Sequence, residues 1–360
     1  VRLSAEEQPI PTNPVASLSS TARAGGSAAQ EAKDITYLLE LARRHGRSGG
    51  SGRAATVTRT LRMNAWWYSH RPAPTRRTLV VDAEGIIYTY RRGHGFAVNP
   101  VATTGRWRGL NEAIPAEELA ETLLPLGVTR RARGRIYLAW EYFDLGDQPG
   151  VIRPGLSGMA QARVAELMAN AYRSTGDVRF ARASRQALVA FTVPVNDGGV
   201  RAMVAYPAGR RPSPWYVERA YPGESPWKGA ALNGFMVAVL NLRGTAAQLR
   251  TGAREQSTDS TTTSVAEANR GADLARSLAD AGARTLVRYI PLHDTGSWSY
   301  YGMLTPGRPW RTYLSDLNYH CYHVALLRQL ALRYPDQPFE KTARTWQRYV
   351  DRAGQKCPRR

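Results

Sequence analysis

From about residue 155 onward the chain repeats one pattern, an apolar stripe at helical spacing followed by a turn. The first stripe lies in GLSGMAQARVAELMANAYRSTGD, where Met159, Val164, Leu167, Met168, Ala171 and Tyr172 share one helix face. The same reading predicts helices over 178–191, 225–244, 264–282, 315–335 and 339–354, with a polar loop over 251–264 and Ser264 as an N-cap three residues before Glu267. Each stripe has to be buried against another, so antiparallel helix pairs are expected. Periodicity alone fits a plain bundle as well as pairs set in a ring.

Upstream the pattern is mixed. Residues 1–30 are rich in Ser, Ala, Gly and Pro and predict a disordered arm. Residues 31–75 read as a helical segment and linker. Ile35, Leu38, Leu39 and Leu41 are helically spaced, SGGSGRAA at 48–55 is a flexible break, and 56–71 is mixed around Trp66, Trp67 and Tyr68. At 76–96, TLVV and GIIYTY flank the turn residues Asp82 to Gly85 and predict a β-hairpin. Asn99-Pro100 separates it from the remainder, 97–354, which begins with a short acidic-started helix at 115–127. The basic run and aromatics at 129–146 read as a strand-like segment.

Lys and Arg number 49 against 29 Asp and Glu, a formal charge of +20, so an anionic partner is expected: acidic polysaccharide, nucleic acid or a membrane surface. No nucleic-acid-binding module is spelled out, and no apolar run reaches membrane-span length. The opening VRLSAEEQPIPTNPV has no hydrophobic signal core, although a removed signal would leave no trace, so a cytoplasmic or a secreted location fits. Cys321 and Cys357 make neither a disulfide framework nor a paired metal-ligand spacing, and a single bridge between them stays open.

The densest chemistry lies in 294–330, where Asp294, Tyr300, Tyr301, Tyr319, His320, Tyr322 and His323 precede an apolar helix pattern. Such residues want hydrogen-bond partners when buried, and together they predict a polar pocket beside a core. His320 and His323 share a helix side, which without a third ligand makes no metal site, and packing or a hydrogen bond is expected of at least one of them. Asp294 suits orientation of a tyrosine or capping of the GSW turn. Arg308 and Arg311 offer bidentate contacts to a carboxylate.

Several strings, read in order, resemble the C-terminal domain of the D-glucuronyl C5-epimerases: GLSGMAQARVAELMANAYRSTGD, AYPGESPWKGAALNGFMVAVLNL, DTGSWSYYGML, NYHCYHVALLRQL and FEKTARTWQRYV. The resemblance implies a mainly α fold, an incomplete (α/α) barrel or toroid of antiparallel helix pairs with a small N-terminal β-hairpin. It implies an enzyme inverting C5 of glucuronate within an acidic polysaccharide. No cofactor is expected, and no loop spells out a metal site, while a metal held by Asp and backbone oxygens stays open. The family's active-site tyrosines fall on Tyr221, Tyr301 and Tyr319, and its SGMAQ start on Ser157, Met159 and Gln161. Asn233 of the LNGF string, Gln161, Asp294, His320, His323, Arg308 and Arg311 are the candidate substrate contacts. The chain departs from the vertebrate pattern at Ala220, where a glutamate precedes the matched tyrosine, and at Leu304, where an arginine follows. Glu218 and Glu224 are the replacement candidates for that glutamate. The short stretch between Leu126 and Ser157 implies a compact form without the vertebrate β-sandwich. A polysaccharide lyase, which shares the proton abstraction, and a noncatalytic binder of anionic glycan are the competing readings. A homodimer is compatible with the sequence, which does not fix the oligomeric state.

Overall fold

The computed structural model describes residues 13–23, 29–46, 52–105, 111–143, 152–205, 211–256, 262–302 and 314–358. The chain divides into two units: Val1–Arg131 with Ile136–Gly155, and Ala132–Arg135 with Leu156–Arg360.

In the first unit, helices α1 (Pro14–Arg23), α2 (Ala29–His45) and α3 (Gly52–His70) pack on one another. Strands β1 (Leu79–Val81), β2 (Ile87–Arg91) and β3 (Gly95–Val98) form an antiparallel sheet in that order, with Val80 opposite Tyr88 and Tyr90 opposite Phe96. Three expectations change here. Residues 14–23 of the predicted arm are helical, because Leu18 is fully buried in the packed triplet. The predicted break at 48–55 already begins α3 at Gly52. A side chain there would meet the Gly127 carbonyl oxygen at 2.2 Å, so glycine serves close packing rather than flexibility. Residues 56–70 of the mixed segment are helix, and buried Thr56, Thr60 and Asn64 interrupt its apolar stripe.

Two polar groups lock this unit. Asn64 of α3 accepts from the Phe96 N–H (2.8 Å) and donates to the Phe96 carbonyl (2.7 Å), so it pairs with β3 as a further strand would. Buried Asp34 accepts from the hydroxyls of Tyr68 (2.9 Å) and Tyr90 (2.8 Å), from Gly93 N–H (2.5 Å) and from Gln30 (2.8 Å). Helices α4 (Pro100–Thr104, capped by Asn99) and α5 (Ala116–Leu123) follow, then paired strands β4 (Val128–Ala132) and β5 (Arg135–Ala139).

The second unit is built from paired helices. These are α6 (Gly158–Thr175) with α7 (Val178–Val189), α8 (Leu232–Glu255) with α9 (Thr262–Tyr289), and α10 (Leu317–Arg333) with α11 (Phe339–Arg352). A short antiparallel pair, β6 (Arg201–Val204) and β7 (Ser213–Tyr216), lies between the first two helix pairs in sequence. The architecture is mainly helical, in an α/α arrangement. First members pack side by side, α6 on α8 and α8 on α10, and second members α7 and α9 also pack. Glu166 lies over Gly244 and Arg173 pairs with Glu255, so α6 and α8 run parallel. α10 runs with them: its start lies by the start of α8, and Arg243 sits 5.6 Å over the ring of Tyr334, which ends α10. Ser264, predicted to cap α9, lies inside the helix and is buried by Tyr172. Its neighbour Glu267 is instead engaged by Arg185 and Arg270.

Cys321 and Cys357 are joined, tying the second turn of α10 to the tail beyond α11 across a separation of 36 residues. For a loop of that length, replacing both cysteines by alanine is expected to lower stability by about 3–4 kcal/mol. Urea unfolding of the double variant against the oxidised protein checks this, and an unchanged midpoint would overturn it.

Candidate active site

Parallel α6, α8 and α10 bring three helix N-termini to one end of the second unit, and two extended segments stitch them together. Residues 217–221 join α6 to α8: Gly158 N–H donates to the Val217 carbonyl (2.7 Å), Leu156 and Ala220 exchange two hydrogen bonds (3.0 and 2.8 Å), and Glu218 N–H reaches Gly229 (2.9 Å). Residues 299–302 join α8 to α10. Leu232 N–H donates to the Tyr301 carbonyl and Ser315 N–H to that of Ser299, both at 2.9 Å. Ser157 caps α6 and Asp316 caps α10, each by accepting from a first-turn N–H. The positive ends of three helix dipoles thus share one region, which favours negative charge there.

Sequence-predicted residues gather at this end. Tyr319, on the first turn of α10, meets Tyr301 edge to face, with ring centroids 4.6 Å apart. Tyr319 is 39% exposed, while Tyr221 is only 2% exposed. The Glu218 carboxylate, from the extended segment 217–221, packs against the first turn of α8. A side chain at Gly234 would come within 2.6 Å of its carboxylate, so glycine there makes room for the acid. Desolvation pushes the Glu218 carboxyl above the ordinary range, opposed by Arg219 and Arg163. Asn233, in that first turn, is buried, and among the described residues its Oδ1 has no partner. Gln161 is buried in the first turn of α6. Glu224 sits in the turn after Tyr221, its N–H on the Tyr221 carbonyl.

Asp294, His320 and His323 lie in the network behind the 299–302 strand. His320 and His323 are fully enclosed. The His320 Nδ1 accepts from Ser299 N–H (3.2 Å) and its Nε2 donates to the Trp346 carbonyl (3.0 Å), which assigns the tautomer. Its ring stacks on Trp298 at 3.9 Å, and burial pulls its pKa down. His323 Nδ1 lies 3.0 Å from the Ser299 hydroxyl. Both histidines therefore hold residue 299 and, through it, the strand carrying Tyr301. Asp294 caps its own turn through Gly296 N–H (2.8 Å) and accepts from Trp346 Nε1 (2.9 Å) and Tyr349 (3.1 Å). Arg308, Arg311 and Leu304 lie outside the described residues. Sequence reasoning missed Ser299 and Ser315, which join the two histidines to the strand. Their only signal was adjacency to the motif. Among the described residues, no cluster of three or more His, Cys, Asp or Glu could hold a metal, and no helix is long and apolar enough to cross a membrane.

Buried His293 backs the same strand, with its Nδ1 3.3 Å from the Tyr300 carbonyl and its ring over Trp215. Burial lowers its pKa from 6.5 to about 4. The folded state thus holds it neutral while the unfolded chain binds a proton. Its contribution is complete above pH 6.5 and is lost as pH falls towards 4, by about 3 kcal/mol. Urea unfolding at pH 7 and pH 4 is expected to show that loss, and His293→Phe to flatten it. An equal slope in the variant would remove His293 as the cause.

Fold and site together define an α/α paired-helix protein with tyrosines and a carboxyl at its helix N-termini. Residues 131–348 match the family model of the D-glucuronyl C5-epimerase C-terminus, and the chain belongs to that family. It is 29% identical over 208 residues to the D-glucuronyl C5-epimerase of Caenorhabditis elegans, covering 58% of this chain and 31% of that protein. It is 27% identical over 174 residues to an uncharacterised protein of Methanocaldococcus jannaschii, covering 47% of this chain and 46% of that one. The matches thus span less than half the length of each relative.

Proposed function

We propose that the protein is an epimerase inverting C5 of D-glucuronate residues in an acidic polysaccharide, with α6–α11 as arcs of an incomplete (α/α) toroid around the cleft. C5 is adjacent to the carboxylate, so removing its proton leaves charge spread onto the carboxylate oxygens. A base takes the proton on one face, and an acid returns one on the other. Tyr319 and Tyr221 are the acid/base pair, and Tyr301 orients Tyr319 through the ring contact. Glu218 stands in for the glutamate absent at Ala220: its carboxyl lies on the α8 first turn, and desolvation makes it a stronger base than an exposed acid. Glu224 is the alternative. The helix N-termini favour the developing charge, and the Asn233 Oδ1 is placed to accept from a substrate hydroxyl. Arg308 and Arg311 complete the carboxylate site.

The observation that carries this reading is the placement of Tyr319. It is open to solvent against Tyr301, at the joined starts of α8 and α10, while the histidines behind it are enclosed. The disulfide supports an oxidising, secreted location. The test is incubation with glucuronate-containing polymers in heavy water, read by NMR. Deuterium at C5 with iduronate signals is expected. An unsaturated sugar would make the protein a lyase, and binding without exchange would make it a noncatalytic glycan binder.

A further inference from the structure

Helix α11 buries Phe339, Ala343, Trp346 and Val350. On the opposite side Lys341, Arg344, Arg348 and Arg352 are all exposed. At 3.6 residues per turn these four fall within an arc of about 80° and make one stripe about 16 Å long. The acids of this helix, Glu340 and Asp351, lie on one flank. Glu340 pairs with Arg344 (2.8 Å), while Asp351 accepts from Gln347. Arg348 turns one N–H to the Thr345 hydroxyl (3.0 Å).

At the start of α11 the stripe runs into a groove of about 280 Å³. Ile290, Pro291 and Phe339 supply its apolar side, and Lys341, Thr342 and Thr345 its polar side. Asp294 also lines it, with its carboxylate already engaged by Trp346, Tyr349 and Gly296. Among the described residues no side chain caps this helix, whose N-cap position is Pro338. The groove is therefore a positive helix end beside an apolar wall and two hydroxyls. Of the candidate catalytic cluster it contains only Asp294.

We propose that this groove and the α11 stripe form a second glycan-binding track that docks a polyuronate chain outside the tyrosine cluster. The proposal rests on the acidic-polysaccharide reading of the substrate. The apolar wall faces the C–H side of one sugar ring, Thr342 and Thr345 bond its hydroxyls, and Lys341, Arg344, Arg348 and Arg352 meet successive carboxylates. Arginine suits carboxylates because its planar fork binds both oxygens. A membrane surface fits less well. Interfacial helices set large apolar residues beside their basic ones, whereas the exposed residues of α11 are all charged.

The test is the variant K341Q/R344Q/R348Q/R352Q, since glutamine keeps helix propensity near that of lysine and arginine. Circular dichroism checks that it folds. Calorimetric titration with a long glucuronate polymer is expected to show affinity at least about ten-fold weaker, and a log–log salt slope smaller by about three, as counterion release requires. C5 exchange on a tetrasaccharide is expected to stay unchanged. A charge-preserving variant, K341R/R344K/R348K/R352K, is expected to keep most of the polymer affinity. Unchanged polymer affinity and salt slope in the glutamine variant would overturn the track. So would wild-type protein that binds phosphatidylserine vesicles and no polymer. Titration needs no turnover: a stripe-dependent loss of binding without any C5 exchange would keep the track and remove the epimerase reading.

Discussion

Tyr319→Phe is expected to slow deuterium uptake at C5 of glucuronate by about 10²–10⁴-fold, the usual worth of a positioned proton-transfer group. The change removes one hydroxyl. The ring that meets Tyr301 at 4.6 Å is kept, and the N–H of residue 319 still reaches Asp316 (2.8 Å), so the α10 cap survives. The side chain is 39% exposed, so its loss leaves no buried partner stranded. A thermal midpoint within error of wild type is therefore part of the prediction, as is retained affinity for the polymer. Tyr221→Phe is the contrasting case. That tyrosine is buried, and its replacement is expected to lower stability along with exchange. Undiminished exchange in Tyr319→Phe would take Tyr319 out of the chemistry and leave it as a packing partner of Tyr301.

The largest effect on stability is expected at Glu141 in the first unit. Its carboxylate is enclosed and receives Arg53 through two bonds (2.7 and 2.8 Å) and Arg130 through two more (2.9 and 2.6 Å). Burial alone would raise its pKa. The hydrogen bonds and charge of Arg53, with the charge of Arg130, reverse this and hold it below the ordinary range. Glu141→Ala leaves two partly buried guanidinium groups without their counter-charge, at a cost of about 3–5 kcal/mol. Urea unfolding measures it. Replacing Glu141, Arg53 and Arg130 together by apolar residues of similar size is expected to recover most of the loss, because all three desolvation costs vanish with the charges. A loss in Glu141→Ala below about 1 kcal/mol would mean the group behaves as a surface ion pair.

Legibility in the sequence followed the kind of burial each segment has. Helices α7, α10 and α11 bury one face and expose the other, so their stripes are readable and their predicted ranges lie close to the observed ones. In α3 the buried positions include Thr56, Thr60 and Asn64, which interrupt the apolar stripe, so the segment reads as mixed. β3 has four residues, all buried, too few and too uniform for alternation to show. α1 is mostly small and polar, and a single buried leucine is invisible to composition. At the site, motif order singled out Tyr221, Tyr301 and Tyr319 but could not separate exposed Tyr319 from enclosed His320, one residue away. On a helix, adjacent residues point about 100° apart.

The sequence by itself determined the helix-pair class of the second unit, the family, and the motifs bearing the candidate chemistry, because helical periodicity and motif order are written locally along the chain. Only the tertiary structure decided that α6, α8 and α10 run parallel and bring their N-termini together. It also decided that Glu218 seats its carboxyl on Gly234, that His320 and His323 serve Ser299 rather than solvent, and that Cys321 reaches Cys357. Each of these depends on contacts between residues far apart in sequence, and such contacts are set when apolar faces choose their partners during packing.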